Sequence, residues 1–298
     1  MLNGGGRERK MQSAKRQEVR IQRSALIVVL AALGIASVLI LRPSEDRSLQ
    51  RIRDLGVLRV GIDPSFPPFE SLDANGQIVG FDADLAAALA RRWGVRVQFE
   101  SIGFDGLLDA IWAGRVDAVI SALPLEPRYT RDIAYSQPYF EAGLRLVATT
   151  APITSSADLA GRALAVELGS DADAEGRRLR QRIPALTIVT FATPAEALQA
   201  VLTGAADAAV VDGVTARQFV GQQAAGRILE PALTSAPYVI ALPSKARRLL
   251  AEVNQALRDL QSDGALPALE QKWFTDENPT AKTPDLEAET LKERGHAF

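Results

Sequence analysis

No cysteine occurs anywhere in the chain, and its one histidine, His296, stands near the C-terminal end. The first absence excludes thiol nucleophiles, zinc–thiolate and iron–sulfur sites, disulfides and a cysteine-borne lipid. The second removes histidine general bases, Ser–His–Asp chemistry and histidine-ligated metals, so no metal or cofactor is expected. Carboxylate chemistry stays open. A large charge excess is also missing: 34 Lys and Arg against 36 Asp and Glu leave −2. The distribution says more, because the first 23 residues hold seven basic and two acidic side chains, so that stub is +5 and the rest −7. An acidic body behind a basic stub is not a nucleic-acid footprint. At 298 residues there is room for one large domain or two ordinary ones.

What is present begins with an apolar run. Residues 25–41, ALIVVLAALGIASVLIL, carry no charge. As a helix they cover roughly 25 Å, the lower end of a bilayer core. The basic stub 1–24 precedes them, so the positive-inside rule puts the N-terminus in the cytoplasm and the rest outside. The run reads as a transmembrane signal anchor. The rival is a cleaved signal peptide with Gly34 and Ala36 at its cleavage site, which would leave a periplasmic chain. A polar linker is expected over 42–55 and a mobile, Pro/Glu/Lys-rich tail over 275–298.

Strand and helix patterns alternate from Gly56 onward, which implies an α/β fold of parallel sheets with crossover helices. Strands are expected at 57–62, 95–101 and 116–121, with helices at 82–93 and 105–112 between them. The segment LDAIWAGRVDAVIS (108–121) recurs as LQAVLTGAADAAVV (198–211). In each copy a helix ends at glycine, a turn carries Asp117 or Asp207, and a buried strand follows. Two copies mean two similar lobes rather than a solenoid, and the paired aspartates read as turn and capping groups. The second lobe is placed at 151–236, with strands at 162–167, 186–191 and 208–211 and helices at 171–182, 194–203 and 214–223. The first lobe takes 56–150 and, after the chain returns, 237–274. That return comprises a strand at 239–242, a helix opened by Ser244 and a last helix at 266–274. Two crossings between rigid bodies make a two-strand hinge.

Ligands of open parallel sheets bind beyond the carboxyl ends of the strands. Those ends present Asp63 and Phe66, Phe104, and Ser121-Ala122 in the first lobe. In the second they present Glu167 with Gly169-Ser170, and Asp212. The turn at Gly169-Ser170 precedes a helix whose N–H groups would suit an anion. Each has a plainer reading. Asp63 before proline also initiates a turn, Phe66 and Phe104 also suit a core, and Asp212 also suits a helix cap.

Several phrases together resemble the family 3 extracellular solute-binding proteins, the amino-acid receptors of bacterial ABC importers. They are LRVGID (58–63), PFE (68–70), GFDADL (80–85), GRVDA (114–118), SQPYF (136–140), LAG (159–161), NQAL (254–257) and KWF (272–274). The resemblance covers about 55–274. It implies a two-lobed type II binding-protein fold that closes over a small ligand, then docks as a monomer on ABC permease subunits. It also implies that Asp63 and Asp212 take an ammonium group, that Phe66 and Phe104 pack on the ligand, and that Gly169-Ser170 helps hold a carboxylate.

One phrase departs from the family. Where the family has an arginine that clamps the carboxylate, this chain has PLEPRY (124–129), with Tyr129 at that position and Arg128 one residue early. Either Arg128 or Arg131 enters the site through a backbone shift, or the ligand differs. Asp63, Asp212 and Glu167 against one displaced arginine, with Phe66, Phe104 and Tyr129 to stack, favour a cationic ligand such as a basic amino acid or an amine. Two alternatives use the same fold: a prephenate- or arogenate-type dehydratase with Glu167 as its acid, and a ligand-sensing ectodomain.

Overall fold

The structure, a computed structural model, describes residues 46–149 and 152–274. The expected stub, anchor and tail lie outside the described residues. Among the described residues no helix is long and apolar enough to cross a membrane. Among the described residues, those from 47 onward form one compact unit.

The described part of the segment expected as linker is mostly a helix, α1 (Ser48–Leu55). Its Leu49 and Ile52 are buried three positions apart, and Gly56 ends it in the left-handed region. Strand β1 (Val57–Ile62) follows, then three short antiparallel strands, β2 (Ser65–Phe66), β3 (Glu70–Leu72) and β4 (Ile78–Val79). Helix α2 (Phe81–Trp93), strand β5 (Arg96–Ser101), helix α3 (Leu107–Trp112) and strands β6 (Ala118–Val119) and β7 (Ile133–Tyr135) complete the outward pass. Gly80, with φ +142°, lets α2 dock end-on: a Cβ there would lie 2.0 Å from the Phe69 carbonyl oxygen. The Phe81 and Asp82 amides donate to the carbonyls of Pro68 and Phe69.

The chain crosses over at β8 (Phe140–Glu141) and enters β9 (Arg145–Ala148). Strand β10 (Ala163–Glu167), helix α4 (Asp171–Arg182), strand β11 (Thr187–Phe191), helix α5 (Pro194–Thr203), strand β12 (Ala208–Val211), helix α6 (Gly213–Gln222) and strand β13 (Arg227–Leu229) follow. It returns through β14 (Pro237–Tyr238) to β15 (Ala241–Pro243), α7 (Arg247–Ser262) and α8 (Ala265–Phe274). The long helix thus starts at Arg247, capped by Ala246 without a side-chain bond, and not at Ser244.

Two five-stranded sheets result, ordered β5-β1-β6-β15-β7 and β11-β10-β12-β9-β13. In each, two parallel pairings are followed by two antiparallel ones, so four strands share a direction and one opposes them. The opposing strand is the one that arrives from the other lobe. Strand β9 belongs to the second sheet, so that sheet takes residues ahead of the boundary expected at 150. The crossings β8 and β14 pair with each other, Phe140 opposite Tyr238.

A cluster of rings sits where crossings and first lobe meet. Fully buried Phe69 meets Phe81, Phe140, Tyr238 and Phe274 edge-on, with centroids 4.9 to 5.8 Å away. Such pairs add about 0.5–1.5 kcal/mol each beyond the area they bury. Phe69 also stacks under Phe66 at 5.7 Å, so the same cluster that anchors α8 holds an exposed ring in place.

Candidate functional site

A cavity of about 320 Å³ opens at the carboxyl ends of β1 and β6, lined by Asp63, Ser65, Phe66, Glu70, Phe104, Ser121, Ala122, Pro124 and Tyr238. Asp63, Phe66, Phe104, Ser121 and Ala122 of the expected set come together here. The rings of Phe66 and Phe104 are 45% and 46% exposed, so these two are not core side chains. Asp63 is pinned from both ends. Its Oδ2 accepts the Phe104 amide at 2.9 Å, and its own amide donates to Ser121 Oγ at 2.9 Å. Among the described residues nothing hydrogen-bonds to its Oδ1.

Beneath Asp63 lies a buried acid pair. Ser121 Oγ donates to Glu70 Oε1 at 2.8 Å, while Glu70 Oε2 and Asp82 Oδ1 have no other partner. Asp82 Oδ2 accepts the Ala122 amide and the Tyr139 hydroxyl. Burial, then the Asp82 charge, pushes Glu70 up to about 11, and burial also raises Asp82. One proton shared between the two carboxyls would satisfy both orphaned oxygens, and the stronger upward push falls on Glu70. The Asp82 bond also holds Ala122 at φ +40°, the single non-glycine residue with positive φ among the described residues. Such backbone costs about 1–3 kcal/mol and persists where surrounding bonds impose it.

The other expected residues lie elsewhere. Arg128 is not in the cavity: its Nε is bonded to Glu126 at 2.7 Å, and its guanidinium lies 4.7 Å from the Tyr129 ring. Pro127 begins a short turn that directs both side chains into an adjoining groove with Trp112, Asp105 and Asp109. Arg131 is exposed. On the second lobe, Glu167, Gly169, Ser170 and Asp212 line no part of this cavity.

The turn at Gly169-Ser170 does not offer the free donors expected of it. Ser170 Oγ accepts the amides of Ala172 and Asp173, the Gly169 amide donates to Asp173 Oδ2, and the Ser170 amide to the Glu167 carbonyl. The reason is in the sequence, which places its own acid in the first turn of α4. Asp173 is held below the usual carboxylate range by Arg177 and then by that Gly169 amide. Asp212 caps α6, with Oδ1 accepting the Val214 and Thr215 amides and Oδ2 the Thr215 hydroxyl. Its charge nevertheless reaches the first lobe: burial and then Asp212 push Tyr238 up to about 12.

Glu70, Ser65, Pro124 and Tyr238 were not legible as site residues. Glu70 had a signal, a carboxylate following Phe69 in an apolar phrase. Tyr238 reaches the cavity because β14 pairs with β8 and bridges to Pro124.

The family model of the bacterial extracellular solute-binding proteins, family 3, matches residues 58–276. The L-cystine-binding protein TcyJ of Escherichia coli K12 is 27% identical over 85% of this chain and 95% of its own. The lysine/arginine/ornithine-binding periplasmic protein of the same organism is 30% identical over 73% of this chain and 87% of its own. Among solved structures, an ancestral cyclohexadienyl dehydratase is 25% identical with a TM-score of 0.69, covering 78% of this chain and 98% of that one.

Proposed function

Because the chain belongs to the bacterial extracellular solute-binding proteins, family 3, we propose that it is the extracytoplasmic receptor of an ABC importer and takes a basic amino acid or related cationic small molecule. The observation that carries this reading is the cavity itself, where Asp63 stands with one oxygen unbonded and the exposed rings of Phe66 and Phe104 line the same space. A carboxylate sharing a cavity with aromatic faces attracts an ammonium or guanidinium group through both its charge and the ring quadrupoles. Closure brings the second lobe's Asp212 and Glu167 toward the same ligand, and contacts to both lobes are what stabilise a closed form. The closed monomer then presents a surface to the permease subunits. Residues 25–41 hold the receptor at the outer membrane face, a placement supported by their uncharged run and the basic stub before them.

A thermal-shift screen of the full chain against amino acids and amines tests the reading. A ligand at 100 times its Kd adds about 2.7 kcal/mol of stability. Basic compounds are expected to shift the melt, and shifts from acidic or neutral amino acids alone overturn the cationic reading. The dehydratase neighbour supplies a second reading, in which prephenate is converted to a product. Glu167, its candidate acid, lines no part of the cavity, so no turnover is expected.

A further inference from the structure

We infer that the ligand is a cation without a carboxylate, an alkylamine, polyamine or alkylguanidine and not an amino-acid zwitterion. This rests on the cationic-ligand reading above and narrows it.

A zwitterion needs two opposite grips, and the described residues supply one. The cation side is present in Asp63 and the rings of Phe66, Phe104 and Tyr238. The anion side is missing on three counts. No arginine, lysine or histidine lines the cavity. Three flanking basic groups are engaged, Arg128 with Glu126, buried Arg145 with Glu230, and Arg217 with Glu270 while lying over the Phe140 ring, and Arg131 is exposed and lines no part of the cavity. Three backbone donors at the strand ends are also taken. The Asp63 amide goes to Ser121, the Phe104 amide to Asp63 and the Ala122 amide to Asp82. Pro124 has no amide hydrogen to give. Across the cleft, the turn before α4 already holds the carboxylate of Asp173 and the Ser170 hydroxyl against its amides.

Neutral hydroxyls of Ser65 and Tyr238 are what remains on the cavity wall. A buried carboxylate left with such partners loses its hydration without recovering an ion pair. It would also meet Asp63, and on closure Glu167 and Asp212, as like charges. The second observation is thus independent of the first: one lobe lacks a cation, the other fills its own donor turn.

Isothermal titration of the full chain with matched pairs tests the inference: arginine against agmatine, and lysine against cadaverine. Each pair differs by the carboxylate alone. The amine member is expected to bind at least tenfold tighter in at least one pair. Tighter binding of the amino acid in both pairs overturns this inference and leaves the cationic reading standing. Failure of all four to bind overturns both. Arg128→Ala supplies a second check, and an unchanged ratio within each pair is expected. A selective loss of arginine binding of tenfold or more, with agmatine unaffected, would identify Arg128 as the carboxylate's partner and overturn the inference.

Discussion

Asp117 and Asp207 occupy the same place in two similar sheets, yet the first is 3% exposed and the second 31%. The backbone device is shared. Asp117 Oδ2 accepts the Arg59 amide and its own amide donates to the Arg59 carbonyl; Asp207 does the same with Ala163. Each also pairs with an arginine of the neighbouring strand or just before it, Arg59 within β1 and Arg162 ahead of β10. What differs is cover. In the first lobe α1 lays Arg51 on Asp117, and among the described residues no second arginine pairs with Asp207. A repeat in sequence therefore marks a shared turn, while the energy stored in it depends on what a non-repeated element adds.

Removing each aspartate is the most forceful way to break that comparison. Asp117→Ala leaves Arg59 and Arg51 facing each other without their carboxylate, and a loss of about 3 kcal/mol is expected. Asp207→Ala leaves one partly exposed arginine, with a loss of about 1 kcal/mol. Urea midpoints at constant m-value measure both. Equal losses would mean that α1 contributes nothing.

The two acids proposed to meet the ligand, Asp63 and Asp212, sharpen the contrast through binding. Asp63→Asn keeps the bond from the Phe104 amide and loses the charge, and about 2 kcal/mol of affinity for a cation, close to 30-fold, should go with it. Asp212→Asn keeps a competent helix cap, so any change reports its charge alone, and less than about threefold is expected. Titration calorimetry on the two variants gives the ratio.

The acid pair below the cavity predicts a pH effect. Glu70 keeps its proton in the folded chain well above its ordinary value of 4.5. From there upward the unfolded chain binds fewer protons than the folded one, so stability falls as pH rises, toward the folded value of about 11. The slope is about 1.4 kcal/mol per pH unit. Glu70→Gln retains a donor for Asp82 and an acceptor for Ser121 without the ionisation. Melts between pH 6 and 9 should flatten in this variant, and an unchanged slope would place the proton elsewhere.

Legibility followed the range of the interactions. Helices α4 and α5 match the expected 171–182 and 194–203 because their signals are local: Ser170 and Thr193 cap them with their own hydroxyls, and Gly204 ends the second. Strands β1 and β12 are short apolar runs with equally local ends. Helix α1 was read as linker because its exposed face is charged and two buried residues make too short a stripe. Strands of two or three residues such as β2, β8 and β14 exist through pairing, which no periodicity announces. The site divides the same way. Asp63, Phe66, Phe104, Ser121 and Ala122 sit at strand ends that pattern alone locates. Tyr238 comes from the return crossing, and Arg128 was lost to a neighbour two residues away, Glu126.

The smallest effects test the strand-end turns themselves. After β10 the chain uses Gly169 at φ +77°, whereas after β6 it drives Ala122 to φ +40°. A Cβ at Gly169 would meet nothing within 4 Å, so Gly169→Ala carries a conformational penalty alone, about 1 kcal/mol. Ala122→Gly works in the opposite sense. It relieves about 1 kcal/mol of strain but gives back roughly half of that as added freedom of the unfolded chain, for a net gain of about 0.5 kcal/mol. Chemical denaturation of the two variants resolves the opposite signs. A loss at Ala122 as large as that at Gly169 would show that its methyl group packs against the cavity floor, and that the turn is shaped by contact and not by the carboxylate of Asp82.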